Sequence, residues 1–83
     1  MNYRELHGWL DAEPFVPFRL VMTNGRAFEI RSPSMLWPGR DMVLVGLPDN
    51  PAEPDIPSQH VTVSMLHIIQ VEPLGPTATV PSA

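Results

Sequence analysis

The stretch Pro17–Ile30, PFRLVMTNGRAFEI, decides the fold of this chain. Phe18, Leu20 and Met22 alternate with Arg19, Val21 and Thr23, the period-two pattern of a strand with one buried face. Asn24-Gly25 follows, and Phe28 and Ile30 then resume the alternation. Asn-Gly between two such runs signals a β-hairpin closed by a type I′ turn, whose two central residues both take positive φ. This hairpin anchors the register of the segments around it.

Upstream, Asn2 stands where a helix N-cap belongs, and Glu5 follows at the capping-box spacing. Tyr3, Leu6 and Leu10 fall on one helical stripe with Trp9 beside them. Pro14 bounds the segment, because the residue before a proline avoids the α region. The spacing predicts a helix over 3–12 that packs its stripe across an open end of the sheet. An aromatic binding surface on Tyr3 and Trp9 is the competing role.

Downstream, Ser32-Pro33-Ser34 breaks the ladder, since proline removes a donor. Met35-Leu36-Trp37 is read as a bent continuation of the second strand. Pro38-Gly39-Arg40-Asp41 is a turn. Met42–Leu47, MVLVGL, is a continuous apolar run of strand length, as for a strand covered on both faces. Gly46 within it marks a bulge or a close backbone approach. In the loop over 48–58, prolines recur at 48, 51, 54 and 57, the three-residue period of polyproline II. Its acidic residues favour a stiff connecting loop over a ligand for a proline-binding domain. Val61-Thr62-Val63 resumes a strand, Ser64–His67 fits a single 3-10 turn, and Ile68–Glu72 is a last strand stopped by Pro73. The expected organisation is one domain over 1–74 and a disordered tail over 75–83, GPTATVPSA.

Composition narrows the function. A chain of 83 residues buries a modest core, and with no cysteine it has no disulfide or thiolate metal staple. Oligomerisation is therefore the expected additional stabiliser. No apolar run approaches the ~20 residues of a membrane span, and the first residues lack the pattern of a signal peptide. These features lead to an expectation of a soluble, cytoplasmic protein without a membrane partner. The net charge is −4, and all five basic residues are arginines, spread over the first half of the chain. Three of them, Arg19, Arg26 and Arg31, sit on or beside the hairpin. A local basic stripe there is the only electrostatic feature suited to nucleic acid, which normally needs a concentrated basic patch.

The order helix, strand, Asn-Gly turn, long bent strand, strand, variable loop, strand, 3-10 turn, strand resembles small five-stranded barrels of the Sm-like and SH3-like type. The Pro17-Phe18-Arg19-Leu20 strand, the Asn24-Gly25-Arg26 turn and the closing Ile69–Pro73 segment resemble a group of small bacterial proteins of this kind. The resemblance spans roughly Tyr3 to Leu74. It implies a mainly β fold, a small five-stranded barrel with a short N-terminal α-helix, and it implies no activity. Sm-type proteins read a base with an Asp and an Asn after the second strand and an Arg-Gly pair before the last. Here those loops are Ser32–Trp37 and Ser64–His67, and neither pair is present. Fold alone does not license the function.

Catalytic constellations are absent from the pattern. Ser58 and Ser64 lie near His60 and His67, but without a nucleophile elbow or triad spacing. His60 and His67, with an Asp or Glu, make a weak metal-ligand set, and His7 is isolated on the helix. The expectation is a non-catalytic interaction module with no cofactor and no metal, self-associating through strand edges or apolar faces, with a protein partner as a further option. Single-stranded RNA or DNA binding is the alternative. The residues singled out for a partner or a nucleic acid are Arg19, Arg26, Arg31, Trp37 and His67, with Trp37 suited to base stacking.

Overall fold

A computed structural model describes residues 1–74 of the chain. The tail expected at 75–83 lies outside the described residues. The helix α1 covers Tyr3–Leu10 and opens with the capping box: Glu5 N–H donates to Asn2 Oδ1 at 2.9 Å, and Asn2 N–H donates to Glu5 Oε1 at 3.2 Å. It ends before the expected residue 12. Asp11 sits at φ −90°, ψ 0°, and its N–H closes on the His7 carbonyl at 2.9 Å. Asp is a weak helix former, and the approach to Pro14 favours extended backbone. Leu6 is fully buried, Trp9 and Leu10 pack against the core, and the Trp9 ring lies 5.3 Å from that of Phe18. The helical stripe thus docks on the sheets, leaving Tyr3 half-exposed beside His7.

The hairpin forms from β1, Phe18–Met22, and β2, Ala27–Ile30. Its turn is not type I′. Gly25 N–H donates to the Met22 carbonyl at 3.0 Å, and Met22 N–H donates to the Arg26 carbonyl at 2.8 Å. Gly25 has φ 88°, whereas no described non-glycine residue has positive φ. Thr23, Asn24 and Gly25 therefore make a three-residue loop, a type I turn followed by a left-handed glycine at a G1 bulge. Register is the physical reason. A two-residue loop would set Leu20 opposite Glu29, mixing the buried and exposed faces. The extra residue sets Leu20 opposite Phe28 and Arg19 opposite Glu29. Asn24 Oδ1 accepts Arg26 N–H at 2.9 Å and holds the loop.

After the 3-10 turn Pro33–Met35 come β3, Leu36–Pro38, and β4, Met42–Leu47. Then follow β5, Gln59–Ser64, the 3-10 turn Met65–His67, and β6, Ile68–Pro73. Six strands form rather than the expected five. They make two three-stranded antiparallel sheets, β2-β1-β6 (sheet I) and β3-β4-β5 (sheet II), and no ladder joins the sheets among the described residues. The expected bent second strand is two strands because Ser32 Oγ accepts Ser34 N–H and folds a 3-10 turn between them. Leu36 then leaves the ladder of β1 and pairs with Val45 of β4.

The core lies between the sheets. Phe18, Leu20, Phe28 and Ile30 come from sheet I, Leu36, Val43 and Val45 from sheet II, and Met65 and Ile68 from the crossing near β6. Burial of each such side chain contributes about 1.5–3 kcal/mol. Two expectations are corrected here. β4 is covered on both faces only at one end: Val43 and Val45 are buried in the core and Met35 and Pro57 cover Gly46 on the other face, while Met42 is 57% exposed. Likewise Ile68 is buried and Ile69 points outward. Each sheet has a single core face, so alternate residues meet solvent even in apolar runs.

Gly46 marks a close approach and not a bulge, since the β4–β5 register is unbroken. A Cβ built there would stand 2.9 Å from Met35 Cε and 3.3 Å from Pro57 Cβ. The loop 48–58 is a connector, but it does not extend as polyproline II. Glu53 N–H donates to the Asn50 carbonyl at 2.9 Å and Ile56 N–H to that of Glu53 at 3.2 Å. Pro51 and Pro54 take the second position of two successive β-turns, where a fixed φ is favoured.

Candidate functional site

Sheet II presents its second face to solvent. Leu36, Val43 and Val45 point into the core, so Trp37, Met42 and Leu44 point away from it. Trp37 is opposite Leu44, and Leu44 is opposite Thr62, which gives a cross-strand row of Trp, Leu and Thr. The next rows pair Met42 with Ser64 and Gly46 with His60. Trp37 is 46% exposed, and none of the residues in these rows carries a carboxylate, ammonium or guanidinium group. Met35 and Pro57 pack over Gly46 at one end. At the other end the hairpin tip approaches β5, and Asn24, Arg26, Thr62, Ser64 and His67 line a shallow groove.

No strand pairs with the outer edge of β5 among the described residues, and the hairpin tip flanks it across the groove at Thr62 and Ser64. Met65 N–H donates to the Asp41 carbonyl at 2.9 Å, which sets the phase of the β4–β5 ladder. Residues 59, 61 and 63 then bond to β4, and the backbone groups of His60, Thr62 and Ser64 point outward. No strand pairs with them among the described residues, and the Ser64 carbonyl accepts the first bond of the 3-10 turn Met65–His67. The other three edges carry the usual protections against strand addition. β2 carries Glu29, β3 is three residues long and ends in Pro38, and β6 carries Glu72 and Pro73. β5, QHVTVS, has six residues with no proline, Asp, Glu, Lys or Arg.

The five residues singled out in the sequence fall in three places: Arg19 and Arg31 share Glu29, Arg26 and His67 line one groove, and Trp37 lies on sheet II. Arg19 and Arg31 lie on the outer side of sheet I and are engaged there. Arg19 reaches Glu72 at 3.3 Å and Glu29 at 3.5 Å, and Arg31 reaches Glu29 at 2.9 Å. Two arginines facing two glutamates leave this face without a net positive stripe. The Arg31 guanidinium, hydrogen-bonded to Glu29, holds the Glu29 carboxyl below the usual carboxylate range, and Arg19 acts in the same direction. Arg26 lies over the Phe28 ring, 5.0 Å from its centroid, and forms no ion pair among the described residues. His67 Nδ1 is 3.2 Å from Thr23 Oγ1, and its carbonyl accepts Thr23 N–H at 2.8 Å. It fastens the hairpin tip to the crossing between β5 and β6. Trp37 stands apart from Arg19 and Arg31, on sheet II.

The serines are committed to the backbone. Ser58 Oγ donates to the Leu47 carbonyl at 3.1 Å, and Ser64 Oγ accepts Leu66 N–H at 3.3 Å. No three of His, Cys, Asp and Glu converge as a metal set among the described residues. No described helix is long and apolar enough to cross a membrane.

Met42, Leu44, His60 and Thr62 join Trp37 on the exposed face; in the sequence His60 reads only as a weak metal or triad candidate, and the other three carry no site signal. A signal for them exists in the turn: Gly39 N–H donates to the Met42 carbonyl at 2.7 Å across a two-residue Arg40-Asp41 loop. That spacing alone places Trp37 opposite Leu44. Comparison with protein-family models, with curated proteins and with solved structures finds no match for this chain.

Proposed function

We propose that this chain is a non-catalytic interaction module, an open small barrel that self-associates through sheet II. The barrel reading is supported by two sheets enclosing one core, with the chain crossing between them at the 3-10 turns Pro33–Met35 and Met65–His67. The self-association reading is carried by β5, an unpaired edge beside an exposed Trp37–Leu44–Thr62 row. An edge of this kind accepts another strand through main-chain bonds, and the flanking apolar row adds buried area.

Sedimentation equilibrium at micromolar concentration tests this. The native chain is expected above its monomer mass, and a Trp37→Ser, Met42→Ser double variant is expected to shift toward monomer with an unchanged circular dichroism spectrum. A native chain that stays monomeric overturns the proposal.

A further inference from the structure

We infer that the strand received by β5 is the β5 of a second copy, running antiparallel about a twofold axis at Thr62. This inference rests on the self-association reading and specifies its geometry.

Three outward residues, His60, Thr62 and Ser64, point backbone groups away from β4 and are spaced evenly about Thr62, the Ser64 carbonyl also accepting the first bond of the 3-10 turn Met65–His67. Antiparallel pairing of two copies about that point sets Thr62 opposite the partner's Thr62 and His60 opposite the partner's Ser64. The central Thr62 pair then exchanges both of its N–H···O=C bonds, and in each His60–Ser64 pair the Ser64 carbonyl is shared with its own 3-10 turn. A slip of two residues in either direction leaves one of these sets unpaired. A slip of one residue opposes donors and acceptors that are already bonded to β4.

The side chains agree with this register. Directly opposed residues share a face, so the Trp37–Leu44–Thr62 rows of the two copies would run on as one continuous row across a six-stranded sheet. Opposed threonines are a favourable cross-strand pair. The chain carries a net charge of −4, so two copies repel in general. This edge contains no carboxylate to bring that repulsion into the contact. A twofold contact also uses the same edge on both copies and closes the assembly as a dimer.

The chain has no cysteine, so single substitutions report the register directly. In a hydrogen-bonded antiparallel pair the Cα atoms are ~5.5 Å apart, inside the range of a disulfide. Mild oxidation of Thr62→Cys is expected to convert most of the chain to a covalent dimer. His60→Cys alone is expected to stay uncrosslinked, because its counterpart lies four residues along the strand, about 14 Å away. An equal mixture of His60→Cys and Ser64→Cys chains is expected to cross-link. It gives the same readout if Thr62→Cys fails to fold. Native masses are measured in parallel. A dimer in which neither Thr62→Cys nor the mixture cross-links, or in which His60→Cys alone does, overturns this register and leaves self-association standing. A monomeric native mass overturns both.

Discussion

Met35 occupies the space that a side chain on Gly46 would fill, with Met35 Cε 2.9 Å and Sδ 3.3 Å from the position of an added Cβ. Pro57 Cβ, at 3.3 Å, closes the same space from the proline-rich loop. Three distant segments therefore meet on one backbone atom. A methyl group can be admitted by a turn of the flexible thioether, so Gly46→Ala is expected to change stability by less than about 1 kcal/mol. Gly46→Val cannot be admitted without moving Pro57 and is expected to cost about 1–3 kcal/mol. Urea denaturation midpoints of the two variants check the difference.

The hairpin loop distinguishes its Asn from its Gly. Gly25, at φ 88°, holds a conformation that costs an L-residue about 1–2 kcal/mol. Gly25→Ala is expected to lose that amount. Asn24 lacks positive φ and contributes its carboxamide bond to Arg26 N–H. Asn24→Ala is expected to lose about 0.5–1.5 kcal/mol, the worth of one such bond. In a type I′ turn Asn24→Gly would be favourable. Here it is expected to destabilise, since it removes the bond and adds unfolded-state freedom.

The helix is held by one side chain more than by its own propensity. Eight residues are too few for an isolated helix in water. Leu6, fully buried, ties it to the core, and Leu6→Ala is expected to cost about 2–5 kcal/mol. Asn2→Ala is expected to cost about 1 kcal/mol through loss of the cap. Thermal melts with near-ultraviolet circular dichroism, which reports Trp9 against Phe18, separate loss of docking from global unfolding.

Glu29 links stability to pH. Its carboxyl titrates lower in the folded chain than in an unfolded one, because Arg31 and Arg19 favour the ionised form. The folded chain thus binds fewer protons in this range, so the contribution is present above the ordinary carboxylate pKa. It is lost as the pH falls through the depressed folded value. Exposed pairs of this type contribute at most about 1 kcal/mol. Glu29→Gln is expected to lower the urea midpoint at neutral pH by a correspondingly small amount. The two midpoints are expected to converge in strong acid.

Much of this architecture is legible in the residues. Alternation at Phe18, Leu20, Met22, Phe28 and Ile30 identifies both strands and their core face, and Asn2 with Glu5 marks the start of the helix. What the residues leave hidden depends on register or on layers. The alternation itself rules out a two-residue hairpin loop once Leu20 and Phe28 are required to oppose each other, but the Asn-Gly signal points the other way. In MVLVGL, an apolar residue on the solvent face cannot be told from a buried one by composition, and Met42 is such a residue. The arginines read as a basic stripe because Arg19's glutamate partners sit across the strands, Glu72 being 53 residues away, although Arg31's partner Glu29 is only two residues from it. The period-three prolines matched polyproline II, yet Asn50 and Glu53 fold them into turns through local bonds.

The two sheets also impose an order on folding. Sheet II consists of consecutive strands, so its loops close locally at small entropic cost. Sheet I cannot be finished until β6, near the end of the described residues, reaches back to β1. Non-local pairing of this kind slows the rate-limiting step of small β domains. During synthesis the unpaired β5 edge is therefore complete while β1 and β2 still lack their third strand. The nascent chain thus forms the edge proposed for self-association before its own fold is closed.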